Sequence, residues 1–258
     1  MNPIATLVMY SDLLGFGNLV SSANGTFASP VGKVALERIE SLRNSIFNNE
    51  IHFPINTKFY QLNDLVVANM DVNLVVSSMT IDPSSTSSQP ASAAVIMDVL
   101  KFMSAAAKFH QDILNSDNQN QAGQGCRTFL VLGQRWTVSS KPSTSNVMDT
   151  FELQANMALA EAYSADSQGS GAGFQGGPWD RFYVNDYLWH TLVDASAPLA
   201  RQLAQIPLAT LQRLDGFGVP NRGLLFPDNL SREPTIKIKI FHRTREFHSL
   251  MSHWACKI

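Results

Sequence analysis

Residues 4–10, "IATLVMY", are apolar almost without interruption, which suits a strand buried on both faces. A chain carrying such a strand has to cover its sheet on two sides. The run ends on an acid. In "YSDLLGFGN", Asp12 follows the apolar residues and precedes two glycines and a phenylalanine. Burying an ion without a partner is costly, so this carboxylate faces solvent, caps a turn or holds a cation.

The pattern downstream supplies the covering layers. In "GKVALERIESLRNSIF" (32–47), Val34, Leu36, Ile39, Leu42 and Ile46 recur at helical spacing, and a second apolar-periodic helix is predicted over 92–115. Between them, "TKFYQLND" and "DLVVANMD" read as two strands meeting at Asn63-Asp64, a dipeptide suited to a tight hairpin. "CRTFLVLG" (126–133) reads as a buried strand, "FELQANMALAEAYSAD" (151–166) as an alanine-rich helix and "RFYVN" as a further strand. A helix is expected over 186–205, and "TIKIKIF" (235–241) alternates as a strand with one wet face. The stretches 82–92, 139–146 and 169–177 are polar or glycine-rich loops. The chain shows no internal repeat. The expected architecture is α/β in one domain, 1–258, with its motifs in the core 4–166.

Composition narrows the function. With 19 Lys and Arg against 21 Asp and Glu, and no dense basic stripe, nucleic-acid binding is not expected. The two cysteines, Cys126 and Cys256, match no metal spacing and read as reduced thiols. The six histidines form no HxH or HExxH pattern, so a zinc hydrolase finds no support. No run approaches the roughly eighteen apolar residues of a membrane span, and no secretory leader precedes "IATLVMY"; a soluble, cytoplasmic protein is expected.

Asp64 repeats the situation of Asp12. Alone, Asn63-Asp64 is turn chemistry. Together, a strand-end acid with a glycine turn and a hairpin-tip acid present two carboxylates to one point, where Mg²⁺ takes oxygen ligands and bridges to substrate phosphates. Gly15 and Gly17 permit close backbone approach, and amides at a following helix start receive phosphate oxygens.

On these residues the chain resembles the class III nucleotidyl cyclases. "YSDLLGFGN" is similar to their "F-x-D-I-x-G-F" opening, "TKFYQLNDLVVA" to their second metal-binding hairpin, and "RTFLVLG" (127–133) to their "R-x-G-I-x-x-G" strand. Sixteen residues past Gly133 stands Asp149, and seven past that Asn156, the family's spacing of base-contacting acid and ribose-positioning asparagine. The resemblance implies a ferredoxin-like α+β fold, with a mostly antiparallel sheet flanked by helices. It implies two Mg²⁺ or Mn²⁺ ions held by Asp12, Asp64 and the carbonyl of Leu13, and a triphosphate cradle of Leu14, Gly15, Phe16 and Gly17. A homodimer would set the acids of one protomer against Asp149 and Asn156 of the other.

Tyr60 stands where purine-using members carry a base-reading lysine. That substitution makes the chain similar to the Pycsar-type pyrimidine cyclases of bacterial antiphage defence, whose cyclic UMP or cyclic CMP activates a separately encoded effector. Ala160 stands where the family has a transition-state arginine, a loss of about two to four powers of ten in rate unless another arginine serves. Arg127 and Arg135 are the nearest candidates. Plainer roles stand beside these: Tyr60 as a half-buried strand aromatic, Asp149 as a helix cap in "DTFE", Asn156 as an ordinary helix residue, and Arg127 as a strand-end residue with a structural carboxylate partner. Two rival functions follow: a cyclase-fold nucleotide sensor without catalysis, or an interaction protein using the loops at 169–177 and 216–227.

Overall fold

The computed structural model describes residues 3–24, 26–72, 93–119, 125–137, 152–168, 181–185, 187–188, 236–243 and 248–256. The long apolar run is a strand, β1 (Ile4–Leu13), and it lies inside the sheet as its composition requires. Its side chains divide by parity. Ala5, Leu7, Met9 and Leu13 pack on one face, while Val8 and Tyr10 pack on the other.

Seven strands form one sheet in the order β2-β3-β1-β4-β5-β6-β7, comprising β2 (Lys58–Leu62), β3 (Leu65–Val72), β4 (Cys126–Arg135), β5 (Phe182–Asn185), β6 (Ile236–Arg243) and β7 (His248–Cys256). Only the β4–β5 and β5–β6 pairs are parallel. The first four strands interlock two split β-α-β units: β3 lies between β1 and β2, and β1 lies between β3 and β4. This is the expected ferredoxin-like arrangement, an α/β fold with a mostly antiparallel sheet.

Helices cover both faces. On one side lie α1 (Phe16–Ser22), α2 (Pro30–Asn49) and α3 (Ala93–Gln119), around a core that includes Leu42, Phe102, Phe109, Val66, Met70 and Leu130. On the other, α4 (Met157–Gln168) lays Ala158, Ala162 and Ala165 against Val8, Val67, Phe129 and Val131. Those alanines let the helix sit low on the sheet, and Gly133 of β4 completes the fit. A Cβ there would lie 3.0 Å from the Ala158 Cβ and 3.1 Å from its Cα and N. Gly133→Val should therefore lift α4 and destabilise the fold by about 1–3 kcal/mol, read as a lower urea midpoint.

Three boundaries differ from the sequence reading. The helix that follows the glycine turn starts within it, at Phe16, and is short, ending at Ser22. The helix expected from 151 begins at Met157, because residues 152–155 make a turn in which Ala155 takes φ 48°. β7 was not foreseen, since "HSLMSHWAC" has no clean alternation. The loops at 82–92, 139–146 and 169–177, the segment 216–227 and, apart from Tyr187 and Leu188, the helix at 186–205 lie outside the described residues. Among the described residues, no helix is long and apolar enough to cross a membrane. Cys126 is a buried free thiol, pushed up to about 12 by burial.

Candidate active site

The register of β1 with β4 fixes two ends. Asp12 faces Arg127 at one end and Ile4 faces Arg135 at the other. Eight residues of strand separate them, roughly 26 Å at the usual rise.

Asp12 and Asp64 meet at the first end. Leu62 and Leu65 close β2 and β3 around a two-residue turn in which Asn63 takes φ 53°, a conformation asparagine tolerates well. The turn folds over the end of β1, so that the Leu13 N–H donates to the Asp64 carbonyl at 3.1 Å. Behind them the Ser11 and Thr128 hydroxyls bond at 2.9 Å, and His110 Nδ1 contacts the Thr128 hydroxyl at 2.8 Å.

A third carboxylate, which sequence reasoning missed, joins them. Asp166, in the last turn of α4, accepts from Arg127 Nη1 at 2.8 Å. This realises the plainer role foreseen for Arg127. The signal for Asp166 was positional: it stands four residues beyond the inward-facing Ala162, on the face that alanines otherwise occupy.

Charge at this end is out of balance. Burial, then repulsion from Asp166 and Asp64, pushes Asp12 up to about 7 against the opposing pull of Arg127 and Arg38. Burial also raises Asp64 and Asp166. Tyr10, beside them, is raised by burial and then by Asp166 and Asp12.

The donor set is all hard oxygen, crowded and short of positive charge, which fits Mg²⁺ or Mn²⁺. The side chains do not form a ready cage: among the described residues, no group of three His, Cys, Asp or Glu is placed to hold a metal.

The glycine turn follows directly. Gly15 adopts φ 73°, open to glycine at little cost, and begins α1 with no side chain capping the helix. The main-chain groups of Leu14, expected in the phosphate cradle, already have partners within the chain. Its N–H donates to the Gly125 carbonyl at 3.0 Å, and its carbonyl accepts from Arg38 Nη1 at 2.9 Å. Of the remaining cradle residues, Phe16 is buried and Gly17 is exposed with open space where a Cβ would be.

The other expected residues lie away from the acids. Tyr60 pairs with Val67, which also faces Tyr10, so it sits two strand positions back from Asp12. Its phenol donates to Glu152 Oε2 at 2.9 Å, and burial followed by that bond pushes it up to about 12. Lys58 also pairs with Glu152 and is the largest cause of that carboxylate's lowered pKa.

Asn156 is buried and bridges to Arg135, near the far end. Its Nδ2 donates to Asn69 Oδ1 at 3.0 Å and to the Glu152 carbonyl at 2.9 Å, while its Oδ1 accepts the Leu159 N–H at 3.0 Å. It thus caps α4 within its own chain, and Ala160 one turn later is exposed. Arg135 binds Asp71 with two nitrogens, at 2.7 and 2.5 Å. Asp149 lies outside the described residues. An open cleft of about 570 Å³ between α2 and α3, lined by Glu37, Asn44, Lys108 and Asp112 among others, includes none of the acids at the end of β1.

No family model matches the chain, and no curated protein matches it. Among solved structures it is similar to the guanylyl cyclase Cya2, at 10% identity and a TM-score of 0.43, over 98% of this chain and 92% of that one.

Proposed function

We propose that the chain is a nucleotidyl cyclase that converts UTP or CTP to the 3′,5′-cyclic nucleotide and pyrophosphate. The observation that carries this reading is the convergence of Asp12 and Asp64 at one strand end, beside the uncapped turn at Gly15. Asp12 and Asp64 would hold Mg²⁺ or Mn²⁺, which would supply acidification of the attacking 3′-hydroxyl and charge to offset that on the α-phosphate. Arg127 adds a fixed cation beside the two acids, on the side where the phosphates would lie. Cyclisation is intramolecular, so holding the ribose and phosphate in line supplies much of the rate.

The resemblance also implies a homodimer, in which Asp149 of one copy faces the acids of the other; the Asn156 side chain is engaged with Asn69, Glu152 and Leu159 of its own chain and would have to leave them to serve there. Tyr60, with no fixed positive charge, favours a pyrimidine over a purine. The product would act as a second messenger on a separate effector in antiphage defence.

Ala160 favours a second reading, a slow or inactive cyclase fold that senses nucleotide. Incubation of the full chain with each of the four nucleoside triphosphates and Mn²⁺, with products identified by mass, separates the two. Cyclic UMP or cyclic CMP is the expected result. No cyclic product from any nucleotide, with a thermal shift retained, leaves the sensor.

A further inference from the structure

Three arginines on or beside this sheet grip carboxylates, and they use different edges of the guanidinium. Arg38 donates from Nε at 3.1 Å and Nη2 at 2.6 Å to the two oxygens of Asp117. Arg135 does the same to Asp71. In both, the Nε–Nη2 edge, whose spacing matches a two-oxygen anion, is filled.

Arg127 is held by its other edge. Nη1 alone bonds Asp166, to Oδ1 at 2.8 Å and to the main-chain carbonyl at 3.2 Å. Nε is buried with no hydrogen-bond partner among the described residues. A buried N–H without an acceptor costs about 1–3 kcal/mol, and more on a charged group. Such a donor calls for an acceptor from outside the chain.

We propose that Asp166 is a positioning residue: it clamps Arg127 by Nη1 and so leaves the Nε–Nη2 edge without a carboxylate partner, for a pair of phosphate oxygens beside Asp12 and Asp64. The proposal rests on the nucleotide reading above and adds to it the residue that aims the phosphate-side cation. The clamp is well placed. Asp166 rides on α4, which the small residues at Gly133 and Ala158 seat close to the sheet. Both partners of the pair are mostly buried, at 14% and 13% exposure, where a charge-assisted bond holds its geometry.

A second cation stands alongside. The carbonyl of Arg181 accepts the Thr128 N–H at 2.9 Å, which sets Arg181 next to Arg127 in the neighbouring strand. Burial and then the charge of Arg127 disfavour its protonated form. A multiply charged anion on the open edge of Arg127 relieves that repulsion.

The test is calorimetric titration of the full chain with inorganic tripolyphosphate and Mn²⁺, run on wild type, Asp166→Ala, Asp166→Glu, Arg127→Ala and the double Asp166→Ala, Arg127→Ala variant. Asp166→Ala should weaken binding about ten- to a hundredfold, the scale expected when a contact group is misplaced by an ångström. Asp166→Glu should restore most of it, and the double variant should bind no more weakly than Arg127→Ala alone.

Unchanged or tighter binding by Asp166→Ala overturns the proposal, because the carboxylate is then only a competitor for the arginine. Additive losses in the double variant overturn it too, as does a wild-type chain that binds no tripolyphosphate. Should Asp166→Ala not fold, Asp166→Asn keeps the side-chain size, removes the charge and carries the same comparison. The cyclase reading fails separately: no nucleoside triphosphate gives a cyclic product, while tripolyphosphate binding and its Asp166–Arg127 coupling persist.

Discussion

On the proposed function, Asp12→Asn is expected to abolish cyclic-nucleotide formation and at the same time to raise the melting temperature of the metal-free chain at pH 8. The loss would follow from the metal: removing one of the two proposed carboxylate ligands would forfeit several kcal/mol of charge stabilisation, on the order of a thousandfold or more in rate. The gain in stability follows from the crowding of acids. Asp12 holds its proton to about 7 in the folded chain, because burial and the neighbouring Asp166 and Asp64 disfavour its charge, while the unfolded chain releases that proton near 3.8. Between those values the native state binds more protons than the unfolded one, so stability falls as pH rises through this window. Asp64 and Asp166 are shifted the same way and add to the slope, while the lowered Glu152 opposes it.

Asparagine cannot ionise, so the variant escapes Asp12's share of the penalty. In chelator, its advantage over wild type should be small at pH 4 and largest above pH 7. Added Mn²⁺ should stabilise wild type at pH 8 and leave the variant almost unmoved. Melting curves at three pH values, with and without Mn²⁺, read all of this. A variant less stable than wild type at pH 8 in chelator would mean that the Asp12 charge serves the fold rather than a cation.

What could be read from the sequence was local. An uninterrupted apolar run revealed that β1 is covered on both faces, and Asn63-Asp64 revealed the hairpin, because both depend on residues adjacent in the chain. Asp12 and Asp64 were found for the same reason: each stands at the end of a strand whose limits are written in its own segment. Asp166 and Arg38 escaped because their roles depend on partners 39 and 79 residues away. On a helix, a lone charge among alternating polar residues reads as part of the wet face, and nothing nearby marks it as buried. The start of α4 was misplaced by a contest that sequence cannot weigh. "FELQ" has good helix formers, yet Ala155 turns left-handed and Asn156, which caps the helix by accepting the Leu159 N–H, is anchored by a bond to Asn69 on a strand outside the segment. Tyr60 was picked out for its place in a motif, but its phenol hydrogen is committed to Glu152, a residue the motif does not contain.

Arg38→Met is expected to destabilise the chain by about 3–5 kcal/mol, the usual consequence of leaving one partner of a buried ion pair alone. Arg38 is 3% exposed and makes four bonds: two to Asp117, one to the Leu14 carbonyl at 2.9 Å and one to the Gly125 carbonyl at 3.1 Å. The Gly125 N–H returns a bond to Asp117 Oδ2 at 2.9 Å, and the Leu14 N–H bonds the Gly125 carbonyl at 3.0 Å. The guanidinium therefore ties together the exit of β1 and the approach to β4, the two segments that carry Asp12 and Arg127. Methionine fills much of the volume but leaves the Asp117 charge without its cation and the Leu14 carbonyl without its guanidinium donor, while the Gly125 carbonyl keeps the Leu14 N–H.

The double variant Arg38→Met, Asp117→Leu removes both charges and should recover part of the loss, since an apolar pair of similar size commonly replaces a buried ion pair at little cost. Recovery cannot be complete, because the Gly125 N–H then lacks its acceptor. Urea unfolding of wild type, Arg38→Met and the double variant measures the coupling. The functional consequence differs from the stability one. Arg38 is also one of the cations that favour the ionised forms of Asp12 and Asp64, so its removal pushes the pKa of both acids further up. The double variant, even where folded, should therefore bind Mn²⁺ more weakly than wild type at pH 7, and the deficit should shrink as the pH is raised. A deficit constant with pH would assign Arg38 to the geometry of the turn alone.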